Sequence, residues 1–137
     1  MMRILVIEDS RFLRLAIEKV LQKCGHEVTG AADGLTGLRA ARNEFPQLIL
    51  LDMMLPGLDG TAVLKELKKD PSTAAVPVIV LTSLSQQNEE KLTSAGAAAF
   101  LEKSALHLDK DVDLSELVRM IKEVGGARSV FATCVAR

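Results

Sequence analysis

Apolar residues along this chain alternate between two periods. Ile4-Leu5-Val6-Ile7, Leu48-Ile49-Leu50-Leu51 and Val78-Ile79-Val80-Leu81 are short continuous apolar runs. Runs of that length predict strands buried on both faces. Glu27 to Ala31 and Ala98 to Glu102 predict two weaker strands. Helical spacing fills the intervals. Leu13, Ala16, Ile17, Val20, Leu21 and Cys24 predict a first helix, with Gly25 placed to stop it. Leu35, Leu38 and Ala41 predict a second, closed by Phe45-Pro46. Thr61 to Lys69 predicts a third, with Val63, Leu64 and Leu67 inward and Pro71 just beyond. Gln86 to Ala95 predicts a fourth, ended by Gly96 and weakly anchored through Leu92 and Ala95. Leu114, Leu117, Val118 and Ile121 predict the last, opened by Asp113 and Glu116 as a variant capping box.

Strand and helix alternate five times. That order predicts an α/β fold: a parallel sheet with helices on both faces. Right-handed crossovers leave few topologies. Without internal repeats or linkers, residues 1–125 read as one domain and 126–137 as a tail without an assigned role. The opening Met-Met-Arg reads as a natural start.

Composition narrows the function. The 137 residues are 48% hydrophobic and 26% charged, which suits one folded domain. Aromatics make up only 3%, so the core must be aliphatic and base stacking is a poor binding mode. A net charge of −1 leaves no basic footprint for nucleic acid. Cys24 and Cys134 lie far apart and form no C-x-x-C pattern. They read as free thiols, suited to a reducing cytoplasm. No segment approaches the ~18 apolar residues of a membrane span, so a soluble cytoplasmic protein is expected.

The strands end in polar chemistry. Glu8-Asp9 follows the first, Asp52 the third, Thr82-Ser83 the fourth and Lys103 the fifth. All carboxyl ends of a parallel sheet share one edge, where ligands bind. A lone Asp or Ser after a strand is commonly a helix cap. Taken alone, Asp52 could be a cap, a metal ligand or a nucleophile. The set demands more than capping, because clustered acids repel one another unless a cation is present. Glu8, Asp9 and Asp52 offer hard oxygen ligands that suit Mg²⁺. A carboxylate beside Mg²⁺ can attack phosphorus and form an aspartyl phosphate. Lys103 and the Thr82 hydroxyl can then neutralise phosphoryl oxygens. His107 reads as a surface residue, with no second histidine at metal spacing.

From Arg3 to about Val124 the chain resembles the receiver domain of bacterial two-component response regulators. The resemblance rests on Glu8-Asp9, on Asp52 with Pro56 and Gly60, and on Thr82, Phe100 and Lys103. It implies a flavodoxin-like doubly wound (βα)5 fold with strand order 2-1-3-4-5. It also implies that Asp52 accepts a phosphoryl group from a histidine kinase or phosphotransfer protein. Glu8, Asp9, Asp52 and the Met54 backbone carbonyl would bind Mg²⁺. Thr82 and Phe100 would act as the switch. A face made by the fourth helix, fifth strand and fifth helix would contact a downstream protein. The chain would be a monomer or weak dimer that does not bind nucleic acid or membrane directly.

Two features depart from the family pattern. Ser104 stands where the family has a proline after the lysine, a position whose peptide bond is commonly cis. A non-proline cis bond costs about 3–4 kcal/mol, so here the bond is either trans or held cis by packing and site contacts. Met54 and Leu84 occupy positions that set phosphoryl lifetime in the family, and both are apolar. Neither can orient an attacking water, which implies slow self-dephosphorylation. The competing readings are a degenerate receiver used as a constitutive binding module and a Mg²⁺-dependent aspartyl-phosphate phosphohydrolase. The first needs a missing site residue. The second needs D-x-D-x-[TV] after the first strand.

Overall fold

The computed structural model describes residues 2–57, 59–82, 96–103 and 114–125. Five strands form one parallel sheet in the order β2-β1-β3-β4-β5. They are β1 (Arg3–Ile7), β2 (Glu27–Ala31), β3 (Leu48–Asp52), β4 (Val78–Thr82) and β5 (Ala99–Glu102). The described helices are α1 (Arg11–Lys23), α2 (Gly34–Asn43), α3 (Gly60–Lys69) and a C-terminal α4 (Ser115–Gly125). The expected strand order holds.

Side chains alternate across the sheet and build two aliphatic layers. Leu5, Ile7, Ile49, Leu51, Val78 and Val80 pack with Leu38 of α2 and with Val63, Leu64 and Leu67 of α3. On the other face Ile4, Val6, Leu48, Leu50, Ile79 and Leu81 pack with Leu13, Ile17 and Leu21 of α1 and with Leu117 and Ile121 of α4. β1, β3 and β4 therefore carry long apolar runs because both of their faces are covered. β2 lies at the sheet edge and keeps only Ala31 fully buried, which explains its weak signal. Ala98 precedes β5 rather than opening it, although its N–H still donates to the Val78 carbonyl at 2.9 Å.

Two expectations are corrected. Leu35 does not face the core; it is 66% exposed. It is the second residue of α2, whose buried stripe runs through Gly34, Gly37, Leu38 and Ala41, and at about 100° per residue it falls beside that stripe. Cys24 is not a free thiol but disulfide-bonded, and its partner lies outside the described residues. The fourth helix expected at Gln86–Ala95, the Asp113 cap, Ser83, Leu84, the Lys103–Ser104 bond, His107 and the 126–137 tail also fall outside them.

Leu50 is fully buried. Leu50→Ala should cost about 2–5 kcal/mol in urea denaturation, through lost burial and the cavity left behind. Leu35→Ala should stay within about 0.5 kcal/mol. Equal losses at the two positions would contradict this assignment of the layers.

Candidate functional site

The sheet register brings the strand ends together. Ile7 pairs with Leu51, Asp52 with Leu81, and Thr82 with Glu102. Glu8, Asp52, Thr82 and Lys103 thus stand within about one residue of a common line across the edge. Helix capping falls to other residues. Ser10 Oγ accepts from the Leu13 N–H at 3.3 Å, and Asp59 Oδ1 from the Ala62 N–H at 2.9 Å. Neither Asp9 nor Asp52 caps the helix that follows it, which removes the ordinary structural role for both.

One ligand atom from each of Glu8, Asp9 and Asp52 lies within 4.8 Å of the others. Glu8 and Asp52 are fully buried, whereas Asp9 is exposed. The Lys103 ammonium sits 3.0 Å from Asp52 Oδ1 and 3.2 Å from Glu8 Oε1. Two backbone donors add to this: the Ser10 N–H to Glu8 Oε2 at 3.0 Å, and the Met54 N–H to Asp52 Oδ1 at 3.1 Å. Asp52 Oδ2 is buried and makes no hydrogen bond, and Glu8 Oε1, also buried, has only its ion pair with Lys103. An orphaned buried carboxylate oxygen costs several kcal/mol unless a cation or proton meets it. The donor set contains only oxygen. A hard divalent cation such as Mg²⁺ therefore fits these residues better than zinc or copper.

The electrostatics show the same deficit. Burial pushes the Glu8 carboxyl up to about 7, and the charge of Asp52 adds to the rise. The Ser10 N–H and Lys103 oppose it without cancelling it. Burial acts to lower the Lys103 pKa, but its hydrogen bond to Asp52 and the two carboxylate charges outweigh that and raise it. Lys103 is therefore firmly charged.

Thr82 ends β4 on the same edge and is buried. Phe100 pairs with Val80 in β5 and packs, partly buried, against the layer of α2 and α3. Met54 points its side chain outward, 61% exposed, while its N–H serves Asp52. Gly60 is needed for close approach: a Cβ there would stand 2.5 Å from the Asp52 carbonyl oxygen and 2.5 Å from Met53 Cα. Both are backbone atoms, so only glycine lets α3 start against the end of β3. The backbone donors of Ser10 and Met54 were missed from sequence. A serine between the acidic pair and an apolar helical period was the available signal for the first.

Residues 4–122 match the family model of the response regulator receiver domain. The chain is 34% identical over 124 residues to Protein PilH of Pseudomonas aeruginosa, covering 90% of this chain and 98% of that protein. It is 39% identical over 102 residues to Response regulator PleD of Caulobacter vibrioides, which is 74% of this chain but only 22% of that protein. The solved receiver domain of a Pseudomonas aeruginosa sensor histidine kinase superposes with a TM-score of 0.76 at 31% identity. That match covers 92% of this chain and 98% of the other, whose structure has a magnesium ion coordinated in its active site cleft.

The Glu8 shift predicts a pH dependence in metal-free protein. The folded state holds its proton up to about pH 7, while the unfolded chain releases it near 4.5. Stability should therefore fall as pH rises from 4.5 to 7, by about 3 kcal/mol from this group. Comparing urea denaturation of wild type and Glu8→Gln across that range isolates the effect. A wild-type profile parallel to that of Glu8→Gln would disprove it.

Proposed function

The chain belongs to the response regulator receiver domain family, and on that premise we propose that Asp52 is its phosphoacceptor. Receiver domains serve phosphorelay signalling as regulatory proteins, and they bind Mg²⁺ at this acidic site. The observation that carries the assignment is Asp52 Oδ2. It is buried at a rigid strand end and has no hydrogen bond, while Oδ1 is occupied by Lys103 and the Met54 N–H. In the transfer, that oxygen attacks the phosphorus of a phosphohistidine. The P–O bond forms as the P–N bond breaks, and the imidazole leaves with the electron pair. Lys103 holds the attacking carboxylate and then the phosphoryl oxygens. Thr82 supplies a hydroxyl to the phosphoryl group, and Phe100 follows it inward, biasing a two-state element.

Glu8, Asp9, Asp52 and the Met54 carbonyl would hold Mg²⁺. When bound, the ion offsets the carboxylate charge and that of the incoming phosphoryl oxygens. The phosphodonor, a histidine kinase or phosphotransfer protein, approaches over the sheet edge. There Phe12 and Leu35, in the first turns of α1 and α2, and Met54 are exposed. The downstream target binds on the face expected from the fourth helix, β5 and the C-terminal α4, of which the fourth helix lies outside the described residues. We read residues 1–125 as the domain, acting as a monomer or weak dimer in the cytoplasm; family membership supports that compartment, and the Cys24 disulfide removes the thiol argument for it. No described helix is long and apolar enough to cross a membrane. A degenerate receiver would lack a site residue; Glu8, Asp9, Asp52, Thr82 and Lys103 are all present.

Two measurements test this. Labelling by a small phosphodonor should require Mg²⁺ and be lost in Asp52→Ala; labelling that survives the substitution would overturn the assignment. The apolar Met54 cannot orient water, so the phosphoryl group should decay slowly. Met54→Asn should accelerate decay roughly fivefold, the worth of about 1 kcal/mol of hydrogen bonding. Met54→Leu should leave the rate unchanged. Unaltered decay in Met54→Asn would refute this role.

A further inference from the structure

Arg14 reaches back from α1 to the loop that carries the acidic pair. Its Nη1 donates to the Glu8 carbonyl oxygen at 2.8 Å. That carbonyl belongs to the peptide joining Glu8 to Asp9. The Glu8 N–H donates to the Ala31 carbonyl at 3.0 Å, and its carboxylate accepts from the Ser10 N–H. Glu8 is thus held at its N–H, its carbonyl and its carboxylate; Lys103 also pairs with the carboxylate, and Arg14 is the side chain that holds the carbonyl. A peptide unit is planar, so fixing its carbonyl also fixes the direction in which Asp9 leaves it.

Arg14 is itself held. Glu18, one turn further along α1, places Oε2 3.8 Å from Arg14 Nε, and both side chains are about four-fifths buried, at 18% and 20% exposure. Gly30 of the neighbouring β2 makes the space. A Cβ there would stand 2.2 Å from Glu18 Oε2 and 3.2 Å from Arg14 Cδ. The two side chains lie across the strand where a larger residue would sit.

We propose that Arg14 is a positioning residue for the cation site: by holding the Glu8 carbonyl it aims the Glu8 and Asp9 carboxylates at one divalent ion. This rests on reading the acidic cluster as the Mg²⁺ site. The opposing possibility is that Arg14 acts only as a nearby charge. The two roles predict opposite signs. A guanidinium near the site repels a cation through space, so deleting a mere charge would tighten binding. Deleting the support for the peptide weakens it, as loss of outer partners does at metal sites generally.

The test is Mg²⁺ titration of the full chain, followed by amide chemical shifts. Arg14→Met should weaken Mg²⁺ binding about tenfold. Arg14→Lys, which keeps a donor for the carbonyl, should recover most of the loss. Gly30→Ala changes no charge and displaces mainly the flexible tip of Glu18, so its urea midpoint should stay near wild type. It should still weaken Mg²⁺ binding roughly threefold. Equal or tighter binding in Arg14→Met overturns the inference and leaves the cation site standing. If Arg14→Met does not fold, unchanged affinity in Gly30→Ala overturns it instead. A wild-type chain that shows no Mg²⁺-dependent shifts would refute the cation site itself, and the role of Arg14 with it.

Discussion

Two fully buried carboxylates share one ammonium, and the rest of the site follows from that arrangement. Glu8 and Asp52 cannot be solvated at the packed end of the sheet. Lys103 compensates part of their charge from 3.0 and 3.2 Å. Stripping water from a carboxylate costs several kcal/mol, and one shared cation does not offset two of them. The remainder appears as the raised Glu8 pKa and as the orphaned oxygen Asp52 Oδ2. These are two expressions of one deficit. A divalent cation would relieve it, and the proposed phosphoryl transfer draws on that relief.

The scaffold tolerates this strain because its stability is elsewhere. Two aliphatic layers cover both faces of the sheet, and neither uses a site carboxylate. β3 lies between β1 and β4, so Asp52 is flanked by the strand that delivers Glu8 and the one that delivers Thr82. A side chain on a central strand has little freedom to move, which favours fixed geometry over adaptability. PilH, which the chain matches over 98% of that protein's length, and PleD, where it matches 22%, show the same unit in very different lengths of chain.

The supports around the acidic pair carry as much meaning as the pair. Ser10 does two jobs, capping α1 with its hydroxyl and serving Glu8 with its N–H. Gly60 lets α3 begin against the Asp52 backbone. Arg14 holds the carbonyl between the two acids. None of these groups need touch a phosphoryl group, yet each limits where the carboxylates point.

Much of this was legible in the chain. Continuous apolar runs mark strands covered on both faces, and the runs at Ile4, Leu48 and Val78 are β1, β3 and β4. A parallel sheet has a single carboxyl edge, so polar residues after those runs had to converge. That is why Glu8, Asp9, Asp52, Thr82 and Lys103 could be named together. Periodicity misjudged Leu35, because the buried stripe of α2 runs through Gly34 and Gly37, which carry no apolar side chain to mark it. It was also silent on Arg14 and Gly60, whose roles depend on how closely separate segments approach, and on the disulfide at Cys24. The sequence by itself determined which residues reach the edge, because local pattern and sheet chemistry are enough for that. Only the tertiary structure decided which oxygens lack partners and which neighbours hold them, because those depend on distances between segments far apart in the chain.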